Sequence, residues 1–211
     1  MDRVVYLALG DSLTEGVGAE RMDCSFAHQF FEQLSRSDQC VMRNWGISGL
    51  TSGELFHLLQ TSACQRLLPS CSHISVTIGG GDFIDLYRSG LTMPKIYRTM
   101  NQVIEQVSQS LEVIRKYNPE GMVYVLGYYI PRPAYDIALP LASYLLRRMN
   151  RSMMKICKKY QGELVDPFDS FYQRYDYFAD DVHPNQMGYD ALAALFARTA
   201  VSLAQQEPSV Q

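Results

Sequence analysis

Val4-Val5-Tyr6-Leu7-Ala8-Leu9-Gly10-Asp11-Ser12 decides how the rest of the chain is read. An unbroken apolar run stops at a glycine, an aspartate and a serine. A strand with one wet face would alternate apolar and polar residues. A continuous short run that ends in turn residues reads instead as a strand covered on both faces. Such strands belong to parallel sheets with helices on either side. The same pattern returns at 41–45 before Gly46-Ile47-Ser48-Gly49, and at 73–78 before Gly79-Gly80-Gly81-Asp82. It returns again at 122–126 before Gly127, and briefly at 164–165 before Asp166-Pro167.

Helical periodicity lies between these runs. Phe26, Phe30 and Leu34 recur within 25–34, and Ile96, Met100, Val103, Val107, Leu111 and Ile114 within 94–117. Stretches 138–160 and 185–203 carry similar apolar stripes. Buried strands alternating with long amphipathic helices predict an α/β sandwich around a parallel sheet. No repeat or composition break divides the chain, so 1–206 reads as one domain and 207–211 as a tail expected to fray. Ligands in such folds bind at the carboxyl ends of the strands. Those ends hold Gly-Asp-Ser, Asn-Trp-Gly and Gly-Gly-Gly-Asp.

The composition excludes several classes. The 211 residues are 47% hydrophobic and 19% charged, enough for a core without disulfide or metal support. A net charge of −3 lacks the electrostatic footprint of a nucleic-acid binder. Five cysteines are an odd number without a C-x-x-C pair, which argues against a disulfide framework or a zinc ribbon. His28, His57 and His73 have no partner at metal-ligand spacing, so no metal and no cofactor are expected. The N-terminus has no basic stretch followed by a long apolar one, and no run is long enough to span a membrane. A cytoplasmic location without a stable membrane anchor is the default, with prior removal of a signal left open.

Ser12 sits where a strand turns into a helix, a place where backbone amides can surround an oxyanion. Alone it reads as readily as a helix N-cap. A nucleophile also needs a base and an orienting acid. Asp180-Asp181-Val182-His183-Pro184-Asn185 supplies both before the last helix. A carboxylate three residues before a histidine can reach Nδ1, which leaves Nε2 for the serine proton. This spacing favours Asp180 over Asp181.

Gly10-Asp11-Ser12-Leu13, Asn44-Trp45-Gly46-Ile47-Ser48-Gly49 and Asp180-x-x-His183-Pro184-Asn185 together resemble the SGNH hydrolases, or GDSL esterases and lipases. The resemblance covers residues 4 to about 200 in order. It implies a flavodoxin-like three-layer αβα fold with strand order 2-1-3-4-5. It implies Ser12 as nucleophile, His183 as base and Asp180 as orienting acid. It also implies an oxyanion hole from the Ser12 and Gly46 amides and a third donor. That donor is an asparagine side chain in the family, and Gly81 stands at its position. Three readings stay open: two donors and a slower enzyme, a substitute donor such as the Gly81 amide, or a chain that only binds ligands. Gly81 is expected to widen that side of the pocket or to admit close backbone approach.

Two further features have competing readings. Tyr128-Tyr129-Ile130-Pro131 after the fourth strand is either a rigid packed loop or one wall of a substrate pocket, with Phe83 on the other side. Arg147, Arg151 and Lys155 form a stripe that is either a solvated helix face or a contact for an anionic surface. No apolar insertion forms a lid. The expected activity is hydrolysis of small short-chain esters. The alternatives are a carbohydrate deacetylase, a lysophospholipase or a non-catalytic binding module.

Overall fold

The computed structural model describes residues 3–35 and 37–206. The tail assigned to 207–211 lies outside the described residues. Five parallel strands form one sheet in the order β2-β1-β3-β4-β5. They are β1 (Val5–Gly10), β2 (Val41–Gly46), β3 (His73–Thr77), β4 (Met122–Leu126) and β5 (Glu163–Val165). Gly10 pairs with both Gly46 and Thr77 in register, so three strands end side by side.

The helices are α1 (Ser12–Glu15), α2 (Phe26–Leu34), α3 (Ser52–Leu59), α4 (Ser62–Leu67), α5 (Gly80–Arg88), α6 (Met93–Tyr117), α7 (Arg132–Lys159), α8 (Phe168–Phe171) and α9 (Gln186–Gln206). Alternation along each strand sorts the core into two layers. Leu7, Leu9, Ile74, Val76, Val123 and Val125 face α3, α6 and α7. Tyr6, Ala8, Tyr124 and Leu126 face α2 and α9. Phe30 anchors that second layer, with ring centroids 5.6 Å from Tyr6 and 5.3 Å from both Tyr124 and Phe196. Both faces of the sheet are therefore covered, as the unbroken run at 4–9 requires. The expected α/β class and strand order are both seen.

Three differences from the sequence reading bear on the site. Helices α3 and α4 had no periodic stripe long enough to register. A capping box at Thr51 and Glu54 marks the start of α3, with the Glu54 carboxylate 2.9 Å from the Thr51 amide. Helix α5 begins directly at Gly80, so the glycine run is a helix start rather than a loop. Helix α7 begins at Arg132 and is interrupted at Ala138, whose φ of −160° and ψ of 48° are not helical. Pro140 just beyond removes an internal donor and explains the break.

Gly10 ends β1 with φ at +150°, a value L side chains rarely adopt. A Cβ there would collide with the carbonyl and hydroxyl oxygens of Thr77. Gly10→Ala is expected to destabilise the fold by about 3 kcal/mol, combining overpacking with backbone strain. Equilibrium urea unfolding measures this, and a midpoint equal to wild type would contradict it.

Candidate active site

The nucleophile turn is fixed before any catalytic atom is considered. The Asp11 amide donates to Thr77 O at 3.1 Å, and the Ile47 amide donates to Gly10 O at 2.9 Å. Asp11 is 3% exposed, and its Oδ1 accepts from Thr77 Oγ1 at 2.8 Å and from the Leu13 amide at 3.1 Å. Burial raises the Asp11 carboxyl above its ordinary value, although hydrogen bonds from Thr77, Leu13 and the Gly80 amide oppose that rise. The buried aspartate thus caps α1 and ties it to β3 and to the start of α5.

The histidine loop is equally constrained. Phe178 and Pro184 form an antiparallel bridge, and the Ala179 amide donates to His183 O at 2.9 Å. Asn185 Oδ1 accepts from the Gly188 amide at 3.1 Å at the start of α9. The Tyr189 hydroxyl reaches back to Val17 O at 2.7 Å, joining α9 to the nucleophile segment. Tyr129 donates its hydroxyl to Val182 O at 2.7 Å while its ring stacks on Phe171 at 4.6 Å.

These constraints bring three side chains into line. Ser12 Oγ lies 2.9 Å from His183 Nε2, and His183 Nδ1 lies 2.7 Å from Asp180 Oδ2. Asp180 Oδ1 accepts from the Val182 amide at 2.8 Å and the His183 amide at 2.7 Å. Burial would raise the Asp180 carboxyl, but the His183 and Val182 donors outweigh it and hold it below its ordinary value. An ionised carboxylate only accepts, so Nδ1 carries the ring proton and Nε2 presents its lone pair to Ser12. Asp181 is exposed and makes no side-chain contact with His183; its carbonyl instead accepts from the Arg132 amide at 2.9 Å.

The other expected site residues fare differently. The Gly46 amide already donates to Asn44 Oδ1 at 2.8 Å, so it is engaged inside the protein. Asn44 Nδ2 also holds Thr14 O at 2.8 Å, and a Cβ on Gly46 would strike the Glu15 backbone. Gly46 is a glycine because α1 lies directly against it. Gly81 is buried, and a Cβ there would meet Gly49 O at 2.7 Å and Leu50 O at 2.9 Å. The space expected to widen the pocket is filled by backbone, leaving an asparagine no room without a shift.

The tyrosine loop packs inward. Tyr128 donates to Ile78 O at 2.9 Å beneath Gly79, and Phe83 meets its ring edge-on at 5.7 Å. Ile130 is 1% exposed in a small core with Tyr135 and Phe168. The Tyr128 and Tyr129 hydroxyls are thus committed to backbone carbonyls, and the Ile130 side chain is committed to a core, while the two tyrosines stay half-buried. Sequence reading missed Thr77; the Asp82 carboxylate takes the Ser52 amide and hydroxyl, both at 2.8 Å. No local pattern marks Thr77, since its partners Asp11 and Thr14 lie far away in sequence. Among the described residues no His, Cys, Asp and Glu side chains group as a metal site, and no helix is long and apolar enough to cross a membrane.

A serine at the end of the first strand, hydrogen-bonded to a histidine that is oriented by an aspartate, defines a hydrolase-type site on a parallel α/β sheet. The family model of the GDSL-like lipase/acylhydrolase family matches residues 8–191, and the chain belongs to that family. It is an ester-bond hydrolase by that membership. It is 25% identical over 199 residues to the spore germination lipase LipC of Bacillus licheniformis, covering 89% of this chain and 92% of that one. The fold is similar to that of the lipase Lip_vut3 from a goat rumen metagenome, at TM-score 0.81 and 24% identity, with 93% and 97% of the two chains covered. It also resembles Axe2, an acetylxylan esterase of Geobacillus stearothermophilus, at TM-score 0.66 and 18% identity, with 92% and 93% covered.

Two expectations follow. Tyr129→Phe keeps the ring stack but removes the donor to Val182 O; a lost neutral hydrogen bond of about 1 kcal/mol should lower kcat several-fold with KM little changed. Steady-state kinetics on a small ester reads this, and an unchanged kcat would refute it. The raised Asp11 carboxyl binds its proton in the folded state at pH values where the unfolded chain has released it. Its contribution to stability is therefore largest at low pH and falls as pH rises through the folded value. The stability difference between wild type and Asp11→Asn should change in that direction from about pH 4 upward. Thermal melts across that range would show a constant difference if the assignment were wrong.

Proposed function

We propose that the chain hydrolyses short-chain carboxylic esters through Ser12, His183 and Asp180 by way of an acyl-serine. The unbroken hydrogen-bonded line from Ser12 Oγ to Asp180 carries this reading. Ser12 Oγ attacks the ester carbonyl carbon as its proton passes to His183 Nε2. Asp180 stabilises the imidazolium that results. Collapse of the tetrahedral intermediate expels the alcohol, which takes the proton from Nε2. Water then attacks the acyl-serine with His183 again as base, releasing the acid and restoring Ser12.

The oxyanion needs preorganised donors. With the Gly46 amide engaged by Asn44, the candidate donors are the amides of Ser12, Gly49 and Gly81. Gly81 packs directly against the Gly49 backbone. Gly81 is in the first turn of α5, where amides have no acceptor within their own helix. This supports a backbone substitute for the missing asparagine. The burial of Ile130 and the bond of the Tyr128 hydroxyl to Ile78 O take these apolar side chains away from a substrate surface, which supports short acyl groups.

A non-catalytic binding module is disfavoured by the complete triad, whose aligned and partly exposed hydrogen bonds serve no packing purpose. Ser12→Ala should abolish multiple-turnover hydrolysis of p-nitrophenyl acetate, lowering kcat by at least about 10³-fold. An acyl-length series with the wild type should show rates falling beyond a few carbons. Equal rates for wild type and Ser12→Ala would overturn the mechanism.

A further inference from the structure

Helix α7 carries an outward stripe that the proposed chemistry does not use. Leu141, Tyr144, Arg148, Arg151, Lys155 and Lys158 follow one another at alternating spacings of three and four residues. All are exposed, while Leu145, Met149, Met153 and Cys157 turn to the core. The stripe is thus one face of a helix that runs regularly beyond the break at Ala138, about 26 Å from Leu141 to Lys158. Its two halves differ. Leu141 and Tyr144 are 40% and 53% exposed, and Ile137 just before the break is 63% exposed. The remaining four positions are all cationic.

The structure redraws the basic stripe read from the sequence. Arg147 is drawn aside: it pairs with Asp169 at 2.7 Å and its guanidinium sits 4.0 Å over the Phe168 ring. Among the described residues Arg148, Arg151, Lys155 and Lys158 have no ion-pair partner. The exposed carboxylate on this part of the helix, Asp136, lies beyond the apolar end. Four unpaired cations in a row are a local feature, since the whole chain is net −3.

The position of the apolar end gives the stripe a direction. The first residue of α7, Arg132, donates its amide to Asp181 O in the loop that carries Asp180 and His183. The apolar half is therefore the part of the stripe nearer in the chain to that loop, and the cationic half is the part further from it.

We propose that this face of α7 docks on an anionic lipid surface, with Ile137, Leu141 and Tyr144 at the level of the headgroups and acyl chains. Arg148, Arg151, Lys155 and Lys158 lie along the phosphates. The complementarity is twofold: unpaired cations match anionic headgroups, and the contiguous aliphatic and aromatic side chains match the apolar layer beneath. A soluble polyanion would satisfy only the cations. Long Arg and Lys stems also let the charges reach the headgroups while the helix lies flat. Docking this way does not depend on the ester chemistry.

The test is co-sedimentation of the Ser12→Ala protein with phosphatidylcholine vesicles and with mixed phosphatidylcholine–phosphatidylglycerol vesicles. Binding is expected only to the mixed vesicles and should weaken as salt is added. Each cation near such a surface contributes about a fivefold factor, so Arg148→Glu with Arg151→Glu should lower partitioning at least tenfold. Leu141→Ser with Tyr144→Ser should lower it several-fold while the charge is unchanged. Circular dichroism of each variant verifies that it is folded. No binding to mixed vesicles, or equal binding by the charge-reversed variant, would overturn the proposal. So would binding to duplex DNA or polyphosphate of equal strength that is insensitive to the Leu141 and Tyr144 changes. Failure of p-nitrophenyl acetate hydrolysis would bear on the ester mechanism alone, because the vesicle experiment uses the Ser12→Ala protein.

Discussion

The buried Asp11 carboxylate holds the structure's working end together. It accepts from Thr77 Oγ1 at 2.8 Å and from the Leu13 amide at 3.1 Å, and Thr77 Oγ1 in turn lies 2.8 Å from Thr14 Oγ1. One side chain thereby links the end of β1, the end of β3 and the first helical turn behind Ser12. A carboxylate so deeply buried is tolerated because donors from three segments converge on it. Gly10, which admits the Thr77 oxygens beside it, is the condition for that convergence.

From that anchor the elements around Ser12 are tied to one another by side-chain hydrogen bonds. Asn44 fixes α1 against β2, Asp82 joins α5 to α3, and Tyr189 connects α9 to Val17. The histidine loop approaches from the opposite end of the chain and is held by its own bridge and by Tyr129. Serine and histidine meet across 171 residues because both sit at one edge of a single sheet. Preorganisation of this kind lets small groups act on a carbonyl without reorganisation during the reaction.

The departures from the family pattern are understood as packing. Gly81 and the backbone of Gly49 and Leu50 occupy the region where an asparagine side chain would start, so the glycine reflects close backbone approach. Gly46 has a structural duty under α1, and the Asn44 side chain claims its amide. The tyrosines after β4 serve as props, with their hydroxyls on Ile78 O and Val182 O, because the chain must turn under the site to begin α7.

The sequence by itself determined the layered fold. The unbroken run at 4–9 and its echoes at 41–45, 73–78 and 122–126 demanded covered parallel strands, and periodic stripes supplied the long helices. It also determined Ser12, Asp180 and His183 as candidates, because strand-end turns and D-x-x-H spacing are local signals. Tertiary structure alone decided that Gly81 meets the backbone of Gly49 and Leu50, that the Tyr128 and Tyr129 hydroxyls reach Ile78 O and Val182 O, and that Arg147 leaves the basic stripe for Asp169. Those outcomes depend on partners tens of residues away. A hydrogen bond such as Asn44 Nδ2 to Thr14 O, or a contact such as Gly81 to Gly49, is fixed only when the packed elements bring donor, acceptor and neighbouring backbone to within a few ångströms.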